Sequence, residues 1–150
     1  MTQEDKELLL RDLSARLSYG VICQVDDGAA GLNDGKLVEI DISKELVRFD
    51  ADYYWDAYID DVKPYLRTMS SMTEEEKDEW SALFIKPLCE LDSIENDEEA
   101  ESVAPSYFAK MHALSTDWLN KHHFDYRGLI EKGLAIAVAE ENNPYGKDND

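Results

Sequence analysis

At Gly20 the hydrophobic period of the chain changes, and this change constrains the fold more than any other feature. Before it, Leu9, Leu10, Leu13 and Leu17 recur at three and four residues, which predicts a helix over residues 2–18 with one apolar face. Thr2 suits the cap of that helix, and Glu4 and Asp5 suit the positive end of its dipole. After Gly20, Val21, Cys23 and Val25 alternate with Ile22 and Gln24, the period of a strand. Asp26-Asp27-Gly28 opens a turn region that runs to Asn33-Asp34-Gly35, a hairpin signal. Residues 36–42 return as a second strand, with Val38, Ile40 and Ile42 on one face and Glu39 and Asp41 on the other. Residues 46–49 make a third. Three strands with one apolar face need a cover, and the leucine face of the helix supplies it.

The second half reads as helical. Residues 59–66 suggest a short helix or turn around Pro64. In Ser71-Met72-Thr73-Glu74-Glu75-Glu76, Ser71 with Glu74 or Thr73 with Glu76 can form a capping box. The helix that follows carries Trp80, Leu83 and Phe84 and is predicted to stop before Pro87. Residues 92–101, the most acidic stretch, read as a solvated loop or frayed end. Pro105 suits the first turn of a helix to about Lys121, with Phe108, Met111, Leu114 and Trp118 as its apolar set. A short helix over 126–132, stopped by Gly133, and a last strand within 134–139 complete the expectation. The fold class is therefore α+β: an N-terminal helix packed on a small antiparallel sheet, then a helical C-terminal half. One acidic domain is expected over 1–139, with a flexible tail over 140–150.

Charge narrows the function. Of 150 residues, 34 are acidic and 15 basic, a formal charge of −19. Such a surface repels nucleic-acid phosphate and anionic membrane, so direct binding to either is disfavoured. With 43% hydrophobic residues the chain still has material for a core. Met1 to Glu7 is polar and carries no secretory pattern, and no apolar run approaches a membrane span, so the expectation is a cytoplasmic protein. Cys23 and Cys89 stand apart without metal or redox spacing and read as two buried, reduced thiols.

Mechanistic motifs are missing from the sequence: no phosphate-binding glycine loop, no nucleophile elbow, no zinc-protease helix. Asp50, Asp52 and Asp56 are closely spaced, but Tyr54 and Trp55 occupy the fifth and sixth positions where a calcium loop needs a ligand and glycine. His122 and His123 are adjacent and do not share a helix face, so the structural reading is a helix C-terminus whose dipole they and Lys121 complement. The competing reading is a metal-binding or hydrolytic centre at His122, His123 and Asp125. No cofactor and no metal site are expected. Tyr53, Tyr54, Trp55 and Tyr58 form an aromatic cluster ringed by carboxylates. Such rings either pack inward with polar tips in water or form a partner-binding patch.

Two segments look familiar. One is Lys63-Pro64-Tyr65-Leu66-Arg67-Thr68-Met69-Ser70-Ser71-Met72-Thr73-Glu74-Glu75-Glu76. The other is Asp117-Trp118-Leu119-Asn120-Lys121-His122-His123-Phe124-Asp125-Tyr126-Arg127-Gly128-Leu129-Ile130-Glu131-Lys132-Gly133-Leu134-Ala135. Both resemble recurring segments of small uncharacterised proteins of gut Bacteroidales that travel with phage and other mobile elements. The resemblance implies a bacterial, phage-linked origin and carries no assigned chemistry. Within it, Arg127 is expected to make a charge-assisted bond to a carboxylate, and Asp125, Tyr126 and Arg127 are an alternative partner-recognition edge. Together these readings favour a non-enzymatic interaction module with an unknown protein partner. One specific version is a DNA mimic or anti-defence protein, whose carboxylates would occupy a basic nucleic-acid-binding protein.

Overall fold

A computed structural model of the chain describes residues 1–50 and 55–146. The chain divides into two compact units: Met1–Met69 with His123–Asp150, and Ser70–His122 inserted between them. The architecture is α+β, with an N-terminal helix, a six-stranded mixed sheet and two long helices in the C-terminal half. Among the described residues no helix is long and apolar enough to cross a membrane.

In the first unit, α1 (Gln3–Arg16) starts at Thr2, whose hydroxyl accepts the Asp5 amide at 3.1 Å. Its buried Leu9, Leu10 and Leu13 enter one core with Val21, Cys23, Leu37, Phe49 and Ile59. The strands are β1 (Ile22–Asp26), β2 (Leu32–Asp41), β3 (Leu46–Asp50), β4 (Trp55–Tyr58), β5 (Val62–Leu66) and β6 (Ile136–Ala137). They lie in the order β4-β3-β2-β1-β5-β6, antiparallel except for β5 with β6. A single 3-10 turn, Ile59–Asp61, joins β4 to β5, although three strands lie between them in the sheet. Laid flat, β4 and β5 would be about 19 Å apart, at ~4.8 Å per strand. Four residues reach at most about 14 Å even fully extended. The sheet must therefore curl into a partly closed barrel around its core.

Three local expectations are corrected here. Asn33, Asp34 and Gly35 are not the hairpin turn; they lie inside β2, opposite Val25, Gln24 and Cys23. The reversal falls at Gly28 and Gly31, both at positive φ, closed by the Asp27 amide on the Gly31 carbonyl at 2.8 Å. Alternation along β2 also breaks. Leu37 faces Phe49 but Glu39 faces Arg48, so Val38 is an extra residue in a bulge. Leu37 and Ile40 thus share the core side, while Ile42 is 64% exposed. Residues 59–66 hold a strand: Pro64 lies opposite Cys23, and pairing to β6 begins only at Tyr65, so the missing N–H is tolerated.

The return into this unit is pinned at its stem. The Arg67 amide donates to the His123 carbonyl at 2.7 Å and the Asp125 amide to the Arg67 carbonyl at 2.8 Å. Residues 126–132 form turns instead of the expected helix. Both Asp125 carboxylate oxygens take backbone amides, of Leu129 and Ile130 at 3.0 Å, and Gly128 sits at φ +77°. Part of the presumed tail is held: the Tyr145 hydroxyl donates to the Tyr65 carbonyl (2.8 Å) and accepts the Ile22 amide (3.1 Å). Residues 147–150 lie outside the described residues.

The second unit is a helical pair, α2 (Glu74–Asp92) and α3 (Asp97–Lys121). Of the two possible capping boxes, Thr73 with Glu76 is the one that forms, both bonds being present at 3.0 and 3.1 Å. α2 does not stop before Pro87 but runs through it, and α3 begins eight residues before Pro105. Asn96 caps α3 by accepting the Glu99 amide, so Asp97, Glu98 and Glu99 occupy its first turn, where the dipole favours them. The acidic stretch is therefore partly a helix start. The Trp118 indole donates to Glu79 at 2.9 Å, joining the end of α3 to the beginning of α2. Met111 and Trp118 are buried, whereas Phe108 and Leu114 of the expected apolar set are exposed. Cys23 is buried as expected, but Cys89, on α2, is exposed.

Candidate partner-binding cleft

The curl that closes the core leaves a gap, because β4 is an edge strand and, among the described residues, pairs only with β3. All four β4 residues, Trp55, Asp56, Ala57 and Tyr58, line a cleft of about 380 Å³. Consecutive strand residues point to opposite faces, so only a cleft running along the strand's edge can touch all four. The facing wall is the end of β1 and its turn, Val25, Asp26, Asp27 and Gly28, with Asp61 from the 3-10 turn. Its volume lies in the range of small-ligand pockets, about 300–1,000 Å³. A second hollow of about 190 Å³ adjoins it, bounded by Gln24, Leu32, Asp60 and Lys63, and shares Asp26 and Asp61 with the first.

Sterics place the aromatic wall. Trp55 lies against Phe49, centroids 5.5 Å apart, and crosses directly over Gly35. A Cβ at residue 35 would meet the Trp55 ring at 2.7 Å and Phe49 at 3.0 Å. Gly35 is thus required for a close approach and not for a turn. Tyr58, two residues on from Asp56, is 62% exposed.

The cleft carboxylates are engaged unequally. Asp56 accepts from Arg48 Nε at 2.8 Å, and Arg48 also reaches Glu39 at 3.2 Å. Asp26 accepts the Gly28 amide at 3.0 Å, which shapes the turn. Among the described residues no Lys, Arg or His is within ion-pair distance of Asp27 or Asp61. Nor, among those residues, are three or more His, Cys, Asp or Glu side chains grouped to hold a metal ion. The chemistry on offer is negative charge with Trp55 on one side of the strand edge and Tyr58 on the other, and either ring can attract an organic cation.

Other residues singled out in the sequence fall elsewhere. Tyr53 and Tyr54, like Asp52, lie outside the described residues. Tyr126 and Arg127 join an internal network around Asp12, which is fully buried. Arg16, also fully buried, donates to Asp12 at 2.7 and 3.1 Å and to the Phe124 carbonyl at 2.7 Å. Arg127 makes the expected charge-assisted bond, but its carboxylate is Asp12 of α1, at 2.8 Å. The Tyr126 ring lies 5.3 Å from the Arg16 and 4.7 Å from the Arg127 guanidinium. Asp125 shapes the following turn. His122 closes α3 and lies tilted against Trp118, centroids 4.2 Å apart, while His123, at φ +64°, stacks on Tyr145 at 3.8 Å.

Buried titratable groups surround this network. Desolvation, then the charges of Asp12 and Asp34, push the Cys23 thiol far above its ordinary value. Burial, followed by the hydrogen bond to Asp34, raises Tyr65, and burial raises Tyr145.

The sequence singled out Trp55 and Tyr58 as candidates but not Asp26, Asp27 and Asp61, which line the same cleft. Asp26-Asp27-Gly28 carried only a turn signal, and nothing local ties it to a strand about 30 residues later. Comparison with family models, curated proteins and solved structures finds no match for this chain.

Proposed function

We propose that this protein is a non-enzymatic interaction module, of phage or mobile-element origin, that binds a basic protein partner through the cleft beside β4. The observation that carries the reading is the juxtaposition of Asp27 and Asp61 with Trp55 and Tyr58 in one concave site. A lysine or arginine placed there gains both carboxylate attraction and an aromatic face. The high overall negative charge would steer a basic partner toward it. A nucleic-acid-binding protein, with a groove built for phosphates, is the partner class that suits this chemistry, and the DNA-mimic version follows from it. Support for the segments' mobile-element origin is their resemblance alone. The geometry favours binding over the hydrolytic or metal alternative at His122, His123 and Asp125, since both Asp125 oxygens already accept backbone amides.

The test is retention of basic proteins from bacterial lysate on the immobilised chain across a salt series, beside a chain carrying Asp27→Asn and Asp61→Asn. A specific basic partner should be retained by the parent chain, lost as salt rises, and retained at least several-fold less by the variant. Equal retention by both chains refutes the cleft as the site.

A further inference from the structure

The free edge of β4 offers more than charge. The Ile59 amide donates to the Glu45 carbonyl at 2.9 Å, which makes 45 and 59 a hydrogen-bonded pair. In an antiparallel ladder such pairs alternate with non-bonded ones. With Val47 opposite Ala57 and Phe49 opposite Trp55, those two are the bonded pairs that follow. Asp56 and Tyr58, opposite Arg48 and Leu46, therefore turn their backbone N–H groups, and Asp56 its C=O as well, away from β3, while the Tyr58 C=O opens the 3-10 turn that follows. The outward groups point along the open edge, where the cleft lies.

We propose that the partner segment is an extended basic peptide that adds to β4 as a new strand. Its backbone would bond both outward groups of Asp56 and the outward N–H of Tyr58, and its cationic side chains would meet Asp27 and Asp61. This rests on the reading of the cleft as a basic-partner site and names how the partner is held. Strand addition takes affinity from main-chain bonds and specificity from alternate side chains. Here one set of side chains falls beside Trp55 and Ala57, the other beside Asp56 and Tyr58. The adjoining hollow continues the path past Asp61 to Leu32, which is 63% exposed, so the site accommodates a segment longer than a single side chain. Charge selects this occupant over a second copy of the chain, because two chains of formal charge −19 repel one another at the edge.

The experiment titrates the full chain with a synthetic octapeptide alternating lysine and valine, followed by calorimetry and by amide exchange at Asp56 and Tyr58. Two further peptides are run beside it: one N-methylated at alternate residues, which removes the ladder donors, and one with glutamate in place of lysine. The lysine peptide should bind and protect both amides, the N-methylated peptide should bind at least tenfold more weakly, and the glutamate peptide should not bind. Tyr58→Pro and Tyr58→Ala add a second test, since both remove the ring and only proline removes the outward N–H. Tyr58 has φ −76°, which proline adopts without strain, so the fold should survive. Proline should weaken binding about tenfold more than alanine does. Equal binding of the N-methylated and parent peptides, lost with Asp27→Asn and Asp61→Asn, overturns strand addition and leaves the basic-partner reading standing. No binding of the lysine peptide at millimolar concentration overturns both. Protection of Asp56 and Tyr58 that grows with protein concentration alone assigns the edge to a second copy and overturns the proposal.

Discussion

The two units of this chain are held together by different physics. The first depends on partners distant in sequence. β5 pairs with β1, α1 shares a core with Leu129 and Leu134, and Arg127 bonds a carboxylate 115 residues away. Many of its core side chains are wholly buried, among them Leu9, Leu13, Phe49, Phe124 and Leu129. The second depends on its neighbours in sequence: a capping box, an Asn cap, acids in the first turns and i,i+3 pairs such as Lys77 with Glu74. Its buried apolar side chains, Met72, Met111, Trp118 and Leu119, all keep some exposure, and Ile85, Leu88 and Phe108 are open to solvent. The difference teaches where an acidic chain can put its charge. Helix N-termini absorb it locally, while in the curled sheet it gathers where strands run out of partners.

The largest effect should come from removing the centre of the buried network. Asp12→Ala leaves Arg16 buried without its carboxylate and should cost about 3–5 kcal/mol, read by urea unfolding. The loss should appear in exchange protection of β1 and β2 before that of α2 and α3. If the helices of the second unit lost protection first, the two units would not be separately held.

A cap should do the reverse on a smaller scale. Thr73→Ala removes one half of the capping box and should cost about 1 kcal/mol. Exchange at the start of α2 should rise while β1 and β2 stay protected. A loss spread equally over both units would erase the contrast.

High pH should act on the first unit most gently. Tyr145 and Tyr65 have raised values because their burial disfavours the phenolate. Unfolded tyrosine ionises near pH ~10, so above that pH the unfolded chain binds fewer protons than the folded one. The stabilisation is fully present below pH ~10 and declines as pH rises through it. Thermal midpoints measured from pH 8 to 11 should fall, and Tyr145→Phe should flatten the fall while keeping the ring against His123. An unchanged slope would remove Tyr145 from the account.

Much of the fold was legible in the residues because much of it is local. The helix period of Leu9, Leu10 and Leu13, the cap at Thr2, the box at Thr73 and the alternation of Val21, Cys23 and Val25 each act within a few positions. The prolines misled because their cost is local too, about 3 kcal/mol in a helix interior, and the packing of α2 and α3 outweighs it. Parity along β2 misled because one bulged residue reverses every side chain beyond it.

By itself, the sequence determined the class of the fold, the starts of the first two helices and the strong negative charge, since propensity, capping and charge are properties of neighbouring residues. Only the tertiary structure decided that the sheet curls, that Gly35 makes room for Trp55, and that Asp12 joins two arginines. It also brought Asp27 and Asp61 beside Trp55 and Tyr58. Those juxtapositions depend on closing long loops, whose cost is met by burial over the whole core, and no short stretch of chain carries a signal for them.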